Sequence, residues 1–282
     1  MDGAACRGGS SAHLFSQAGL ISYRSIQTIR SGRVPARSGR SAYSLVELLM
    51  VVTVIGVLAS LVLPTLAKSR KTARRVQCLS NLRQLGLAAQ MYWDDHEGWS
   101  FRYRTNATPE GDLYWFGWIS RGAEGTRTVD HRQGVLFPYL TGRGVEVCPS
   151  LRYESPTFKL KATGAAYGYG YNLELSPKPG RSVLSIRSLP RPSSTVLFAD
   201  AAQVNDFQAP ASTENPLLEE FYYVSPQEPT AHFRHEGKAN VVYVDGHVDK
   251  LLPVEGSIDS RMPTENVGRL LKSALMINAL EK

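Results

Sequence analysis

The hydrophobic and polar positions of this 282-residue chain change pattern twice. From Leu48 to Ala67, twenty residues rich in Val and Leu run without a charge. A helix of that length crosses the ~30 Å hydrocarbon core of a bilayer. It is apolar on every face, which a helix of a soluble core rarely is. It also exceeds the apolar core of a cleaved secretory signal (about 7–15 residues), and KSRKTARR follows it in place of a small-residue cleavage site. The pattern predicts a permanent membrane anchor. Beyond Lys68 it turns amphipathic: Leu79, Leu82, Leu85, Ala89 and Tyr92 recur at spacings of three and four, and Gly98 follows the acidic DDHE run as a terminator. Read as one element, residues 44–93 form a helix of roughly 75 Å. Pro64 lies inside it, where a proline kinks a helix or frees the carbonyl of Ser60.

From residue 96 the helical period gives way to short strand-like runs between Gly, Pro and Ser clusters, such as TVLFAD (195–200) and FYYVS (221–225). The clearest is ANVVYVDGHVDKLL, 239–252. Asp245-Gly246 between two β-branched runs predicts a hairpin with a two-residue type I′ turn. That turn sets Val244 opposite His247, Tyr243 opposite Val248 and Val242 opposite Asp249. In YGYGYN, period two either lines Tyr167, Tyr169 and Tyr171 along one strand face or marks a tight backbone passage at the glycines, with packing against the helix as the expected role. The tail ENVGRLLKSALMINALEK predicts a C-terminal helix offering Val267, Leu270, Leu271, Leu275 and Leu280 for burial. The fold class is α+β: a long N-terminal helix with an antiparallel sheet on its outer half.

Charge refines the division of the chain. Residues 1–42 hold six arginines against Asp2, a net +5 of the whole chain's +7. The pI of about 9.3 therefore belongs mostly to this segment and does not argue for nucleic-acid binding. The segment lacks an apolar period and reads as a leader to be processed. Four parts follow: a basic leader (1–42), a transmembrane helix half (43–67), an amphipathic helix half (68–95) and a globular outer domain (96–282). Arg24, Arg30, Arg33, Arg37 and Arg40 before the span are matched by Lys68, Arg70, Lys71, Arg74 and Arg75 after it, so charge bias alone leaves the orientation open.

AYSLVELLMVVTVIGVLASLVLP resembles the processing site and N-terminal helix of type IV pilins and type II secretion pseudopilins. The resemblance implies a pilin-like fold and a leader cut between Ala42 and Tyr43 by a prepilin peptidase, which also methylates the new N-terminus. Glu47 becomes the fifth mature residue and Pro64 the twenty-second; Gly56 and Pro64 match places where family helices carry a glycine and a proline. Two features depart from the pattern: Ala42 stands where the family usually has Gly, and the leader is long. In a filament, the N-terminal amine of one chain can approach Glu47 of its neighbour and set axial register; alternatively Glu47 only marks the membrane interface. The resemblance also implies the leader inside and the outer domain outside. That describes a single-pass protein of the bacterial inner membrane, N-terminus cytoplasmic and C-terminal domain periplasmic. The implied partners are the prepilin peptidase/N-methyltransferase, other pseudopilin subunits, an inner-membrane assembly platform and the lipid bilayer, with no nucleic acid.

RHEGKANVVYVDG places His235 ten residues before Asp245-Gly246. Together with CLSNLRQLGLAAQMY, VCPS, YGYGYN and STVLFAD, it resembles pseudopilin-related proteins with a His-x9-Asp-Gly domain, which implies architecture more than mechanism. An extended strand over 239–244 separates His235 from Asp245 by roughly 20 Å. A catalytic dyad is therefore not expected; His235 instead pins the loop entering the sheet, and Asp245-Gly246 is turn chemistry. With Cys6 in the leader, Cys78 and Cys148 remain in a segment facing an oxidising compartment, either as a disulfide or as two free thiols. His232, His235 and His247 raise a zinc reading, but their spacing does not aim the rings at one point. Major pseudopilins of type II secretion carry calcium; the candidate oxygen donors here are Asp200, Asp206, Asp245 and Asp249, but no loop shows the dense spacing of a dedicated calcium site. No cofactor or metal is expected, and no nucleotide loop or nucleophile elbow is present. The expected function is non-enzymatic: a pseudopilin-like subunit of an envelope-spanning filament of a type II secretion or related system. A type IV pilus subunit, a membrane-anchored binding protein and a metal-dependent enzyme built on the histidines are the alternatives.

Overall fold

A computed structural model describes residues 44–123, 125–142, 146–164, 167–177 and 184–277. Ala42 and Tyr43 of the processing motif, and Leu280 of the tail, lie outside the described residues. The chain divides between Val54 and Ile55 into two units.

In the first unit a helix, α1 (Leu45–Asp95), begins at Ser44. The Ser44 hydroxyl accepts from the N–H groups of Val46 (3.2 Å) and Glu47 (3.4 Å), and Glu47 Oε2 accepts from the Ser44 N–H at 2.8 Å. This is a reciprocal capping box, which satisfies N–H groups that a helix start otherwise leaves unpaired.

The second unit opens with the rest of α1, which runs through Pro64 as one uninterrupted helix. The few hydroxyls of the apolar stretch fold back onto the backbone: Ser60 donates to the Val57 carbonyl and Thr65 to that of Val62, each at 2.7 Å. No hydroxyl there needs water, a requirement for a surface in contact with hydrocarbon. Further on, Cys78, Asn81, Leu82, Leu85, Gly86, Ala88, Ala89 and Trp93 are buried. Leu79 and Tyr92 of the expected stripe sit half-buried at its edges. The helix ends as Glu97 takes a left-handed φ of 56° and the Gly98 N–H reaches back to the Trp93 carbonyl at 2.6 Å.

After the helix, β1 (Arg104–Thr108), β2 (Gly111–Tyr114), β3 (Gly117–Ser120) and β4 (Val129–Asp130) form an antiparallel meander. Next come β5 (Phe158–Lys159), β6 (Tyr169–Asn172), β7 (Val196–Asp200), β8 (Gln203–Asn205), β9 (Leu217–Glu219) and β10 (Tyr223–Val224). The chain closes with β11 (Ala231–His232), β12 (Ala239–Tyr243), β13 (Val248–Leu251) and β14 (Val267–Gly268). They build a central five-stranded sheet in the order β10-β6-β7-β12-β13, a three-stranded sheet β5-β9-β8 and the pair β11-β14. Pairing is antiparallel except for β10 with β6 and β5 with β9, which run parallel. The fold is α+β with an antiparallel-rich β domain.

The central sheet is covered on both faces. β7 and β12 are buried at all five positions each, and their side chains alternate. Val242 and Phe198 join the core with α1, while Ala239, Val241 and Tyr243 face a second core with Phe233 and Leu270. α1 lies close on the sheet: a Cβ added at Gly86 would stand 2.8 Å from Val242 Cγ2, and Gln90 donates to the Val244 carbonyl at 3.4 Å. Tyr169 and Tyr171 of β6, with Tyr167 just before it, are fully buried, and Gly170 admits the Tyr223 backbone, 2.6 Å from where a Cβ would be. Rings facing the core and a tight passage at the glycine thus occur together.

Two expectations are corrected. The β12–β13 hairpin pairs Val242 with Val248 and Val241 with Asp249, one residue out of the expected register. Its loop has three residues: the Tyr243 N–H donates to His247 O, the Gly246 N–H to Tyr243 O, and only Gly246 (φ 89°) is left-handed. A type I turn closed by a left-handed glycine forms where Asp245 keeps a negative φ, and it puts every β13 side chain on the opposite face. The tail helix shrinks to α2 (Lys272–Leu275), because Asn266 adopts a left-handed φ of 54° and Val267 pairs with His232 in the sheet. Leu270 and Leu275 are buried while Leu271 is exposed.

Candidate functional site

Two places concentrate chemistry, one in each unit. At the head of α1, Glu47 is exposed and holds the Ser44 N–H. From Leu45 to Leu66 every large apolar side chain is exposed, from 43% at Leu66 to 81% at Leu45. The most apolar window of this helix has none of its residues buried by the protein itself, so the stretch is a candidate membrane span.

The second place is a buried knot in the outer domain. Cys78 of α1 and Cys148 are joined in a disulfide with Cα atoms 5.2 Å apart, and both are fully buried. His235 Nε2 lies 3.8 Å from Cys148 Sγ and 3.3 Å from Asp200 Oδ2. Asp200, the last residue of β7, also accepts from Arg234 Nη2 at 2.9 Å and from the Asn240 backbone N–H at 2.8 Å. Arg234 further donates to the Gly168 carbonyl and to His232 Nδ1, the latter at 3.0 Å. Backbone bonds between His235 and Lys238 close the HEGK turn that feeds β12. The helix, the Cys148 loop, β7 and the β12 entry thus meet at one point.

Electrostatics follow from burial and partners. Burial alone pushes the Asp200 carboxyl up, yet Arg234, His235 and the Asn240 N–H together hold it below the usual carboxylate range. Burial pushes His232 well below an ordinary imidazole, and the Arg234 charge adds to this, consistent with a neutral ring accepting at Nδ1. Nearby, Glu219 is buried with Lys159 at 3.1 Å and Lys161 at 3.2 Å. Against the upward push of burial, Lys161, Gln203 and Lys159 hold Glu219 low. Its neighbour Glu220 is pushed up to about 7 by burial, which Tyr153 and Lys161 only partly oppose.

His235 and Asp245 stand at opposite ends of β12. Asp245 is in the hairpin loop, 2.5 Å from His247 Nδ1, and His247 stacks on Tyr243. Asp206 binds Arg261 at 2.7 Å, Asp249 is exposed on β13, and Asp200 is taken by cationic and backbone donors. Among the described residues, Cys78, Cys148 and His235 form the one trio whose ligand atoms lie within 4.8 Å of one another. With both sulfurs in the disulfide, neither is the thiolate that a metal requires. With its carboxylate and disulfide fully buried and its charges paired, the knot is built to fix segments in place.

Three residues of these sites had a signal in the sequence that periodicity does not weigh. Ser44 and Glu47 have the S-x-x-E spacing of a capping box. Asp200 ends a five-residue apolar strand, and a carboxylate so placed needs a cationic partner; Arg234, between two histidines, supplies it.

A family model described as a protein of unknown function, DUF1559, matches residues 67–122, from the end of the apolar stretch through β3. No curated protein and no solved structure matches the chain.

Proposed function

We propose that this protein is a pseudopilin-like structural subunit, anchored in the bacterial inner membrane by the first part of α1 and assembled through it into an envelope-spanning filament of a type II secretion or related system. One observation carries the reading: the apolar stretch is exposed on all sides, while the same helix continues into the core of a folded domain. Lipid covers such a surface in the stored state, and neighbouring helices cover it in a filament. The work is mechanical and needs no catalytic group. Prepilin peptidase removes the leader before Tyr43 and methylates the new terminus, freeing an amine to meet Glu47 of the next subunit. The leader faces the cytoplasm and the β domain the periplasm.

The intact mass of the protein from its native membrane tests processing: a chain starting at methylated Tyr43 is expected, and a chain retaining residues 1–42 overturns it. Glu47→Ala is expected to abolish cross-linkable filaments while leaving membrane insertion intact. Assembly at the wild-type level would reduce Glu47 to its capping role.

A further inference from the structure

A cleft of about 780 Å³ opens beside α1 just beyond its apolar stretch. Lys71, Arg74 and Arg75 form its helix wall, and Arg152 and Arg234 line it from the β domain. Five cationic side chains thus face two carboxylates, Glu154 and Glu236, with His235 also in the wall. Arg75 is engaged by Glu236 at 3.5 Å and Arg234 by Asp200 at 2.9 Å. Lys71, Arg74 and Arg152 are exposed and have no ion pair among the described residues.

The position of this charge is set by the helix. Lys71 and Arg75 follow Ala67, the last residue of the charge-free run, by four and eight positions. At 1.5 Å per residue they lie at most about 6 and 12 Å beyond it. The headgroup layer extends roughly 5–8 Å outside the hydrocarbon core on each side. With the apolar run in the core, Lys71 at the cleft mouth lies in the headgroup layer, and Arg74 and Arg75 lie just beyond it with side chains that lean back toward the helix N-terminus and so toward the phosphates.

We infer that the cleft receives the phosphate of an anionic phospholipid headgroup, seating the β domain on the membrane surface. The inference rests on the membrane-anchored reading of α1 and adds a lipid class to it. Arg74 and Arg152 grip the phosphate from opposite walls, and Lys71 holds the mouth. A neutral zwitterionic headgroup offers the same phosphate with its own cation beside it, which the excess positive charge disfavours.

The test uses the full chain in a neutral detergent, titrated with short-chain phosphatidylglycerol, short-chain phosphatidylcholine and inorganic phosphate. Phosphatidylglycerol is expected to bind most tightly. The R74Q/R152Q variant is expected to bind it about 25-fold more weakly, near fivefold per cation at a membrane-proximal site. K68Q/R70Q removes the same charge from helix positions outside the cleft lining and is expected to keep wild-type affinity. An equal loss in both variants would overturn the cleft in favour of a diffuse basic belt. Phosphate binding as tight as the lipid would overturn the headgroup assignment in favour of a free-anion site. Unchanged lipid binding by R74Q/R152Q, with loss of cross-linking to a second subunit, would make the cleft a protein interface. Flotation on pure phosphatidylcholine vesicles separates the premise: a chain that fails to float refutes the anchor, whereas one that floats without lipid preference refutes only the cleft.

Discussion

Between Leu45 and Leu66, α1 exposes every large apolar side chain; between Cys78 and Trp93 it buries eight residues in the β domain. Both stretches are rich in Leu, which by itself does not separate them. What differs is where the polar residues fall. The outer stretch sets Arg83, Gln84 and other polar groups on one side and Leu82, Leu85, Gly86 and Ala89 on the other, so a sheet can approach one face. The first stretch has no polar side, and its hydroxyls bond to their own backbone. A face that its own chain can cover becomes core; a surface apolar all round is left for lipid or another helix.

The buried knot ties the outer stretch to the sheet. Asp200→Ala strands the Arg234 guanidinium in the core and is expected to destabilise the domain by about 3–5 kcal/mol, read from urea unfolding of the detergent-solubilised chain. A loss under 1 kcal/mol would mean that the knot does not hold the helix. Cys148→Ser opens the tether to Cys78 and is expected to cost about 2–4 kcal/mol, with the variant floating on membranes as the wild type does.

Glu220 supplies a pH signature that the apolar stretch cannot share. Its folded value of about 7 lies above that of the unfolded carboxyl, so the folded state binds a proton that the unfolded state has lost. Stability is therefore fully present below the unfolded value and falls as pH rises through about 7. The loss is on the order of 3 kcal/mol between about pH 4.5 and 7. Unfolding measured across that range should slope in the wild type and flatten in Glu220→Gln. Asp200, held low by its partners, acts with the opposite sign and only at more acidic pH, where its protonation removes stability.

The smallest effects compare two glycines of the same helix. At Gly86 an added methyl would press on stiff Val242, so Gly86→Ala is expected to cost about 1–3 kcal/mol in unfolding. At Gly56 nothing lies within 4 Å, so Gly56→Ala meets no clash and is expected to stabilise the helix by up to about 1 kcal/mol. If Gly56→Ala instead weakens filament cross-linking, a partner helix packs there, which would sharpen the contrast between the two stretches.

The long helix, its division into apolar and amphipathic parts, and the α+β class were legible because each rests on local periodicity. α1 spans Leu45–Asp95 against an expected 44–93. The hairpin was legible as a hairpin but not in register, because Asp-Gly serves both a two-residue turn and the last two positions of a three-residue loop. The tail misled because Val267, Leu270, Leu271 and Leu275 have helical spacing, while the chain turns at Asn266 and pairs Val267 with His232, a partner 35 residues away. The partners of His235 were out of reach for the same reason: Asp200 and Cys148 arrive from separate segments, and no local pattern names them.

Amphipathic period, charge-free length and the S-x-x-E start are properties of consecutive residues, so they fix secondary structure and the membrane-spanning candidate without help from the rest of the chain. Which cysteine meets which, which carboxylate is neutralised and which cations gather into one cleft depend on contacts between segments far apart in sequence. Those contacts form only when the chain buries its core, because burial alone makes an unpaired charge costly enough to select its partner.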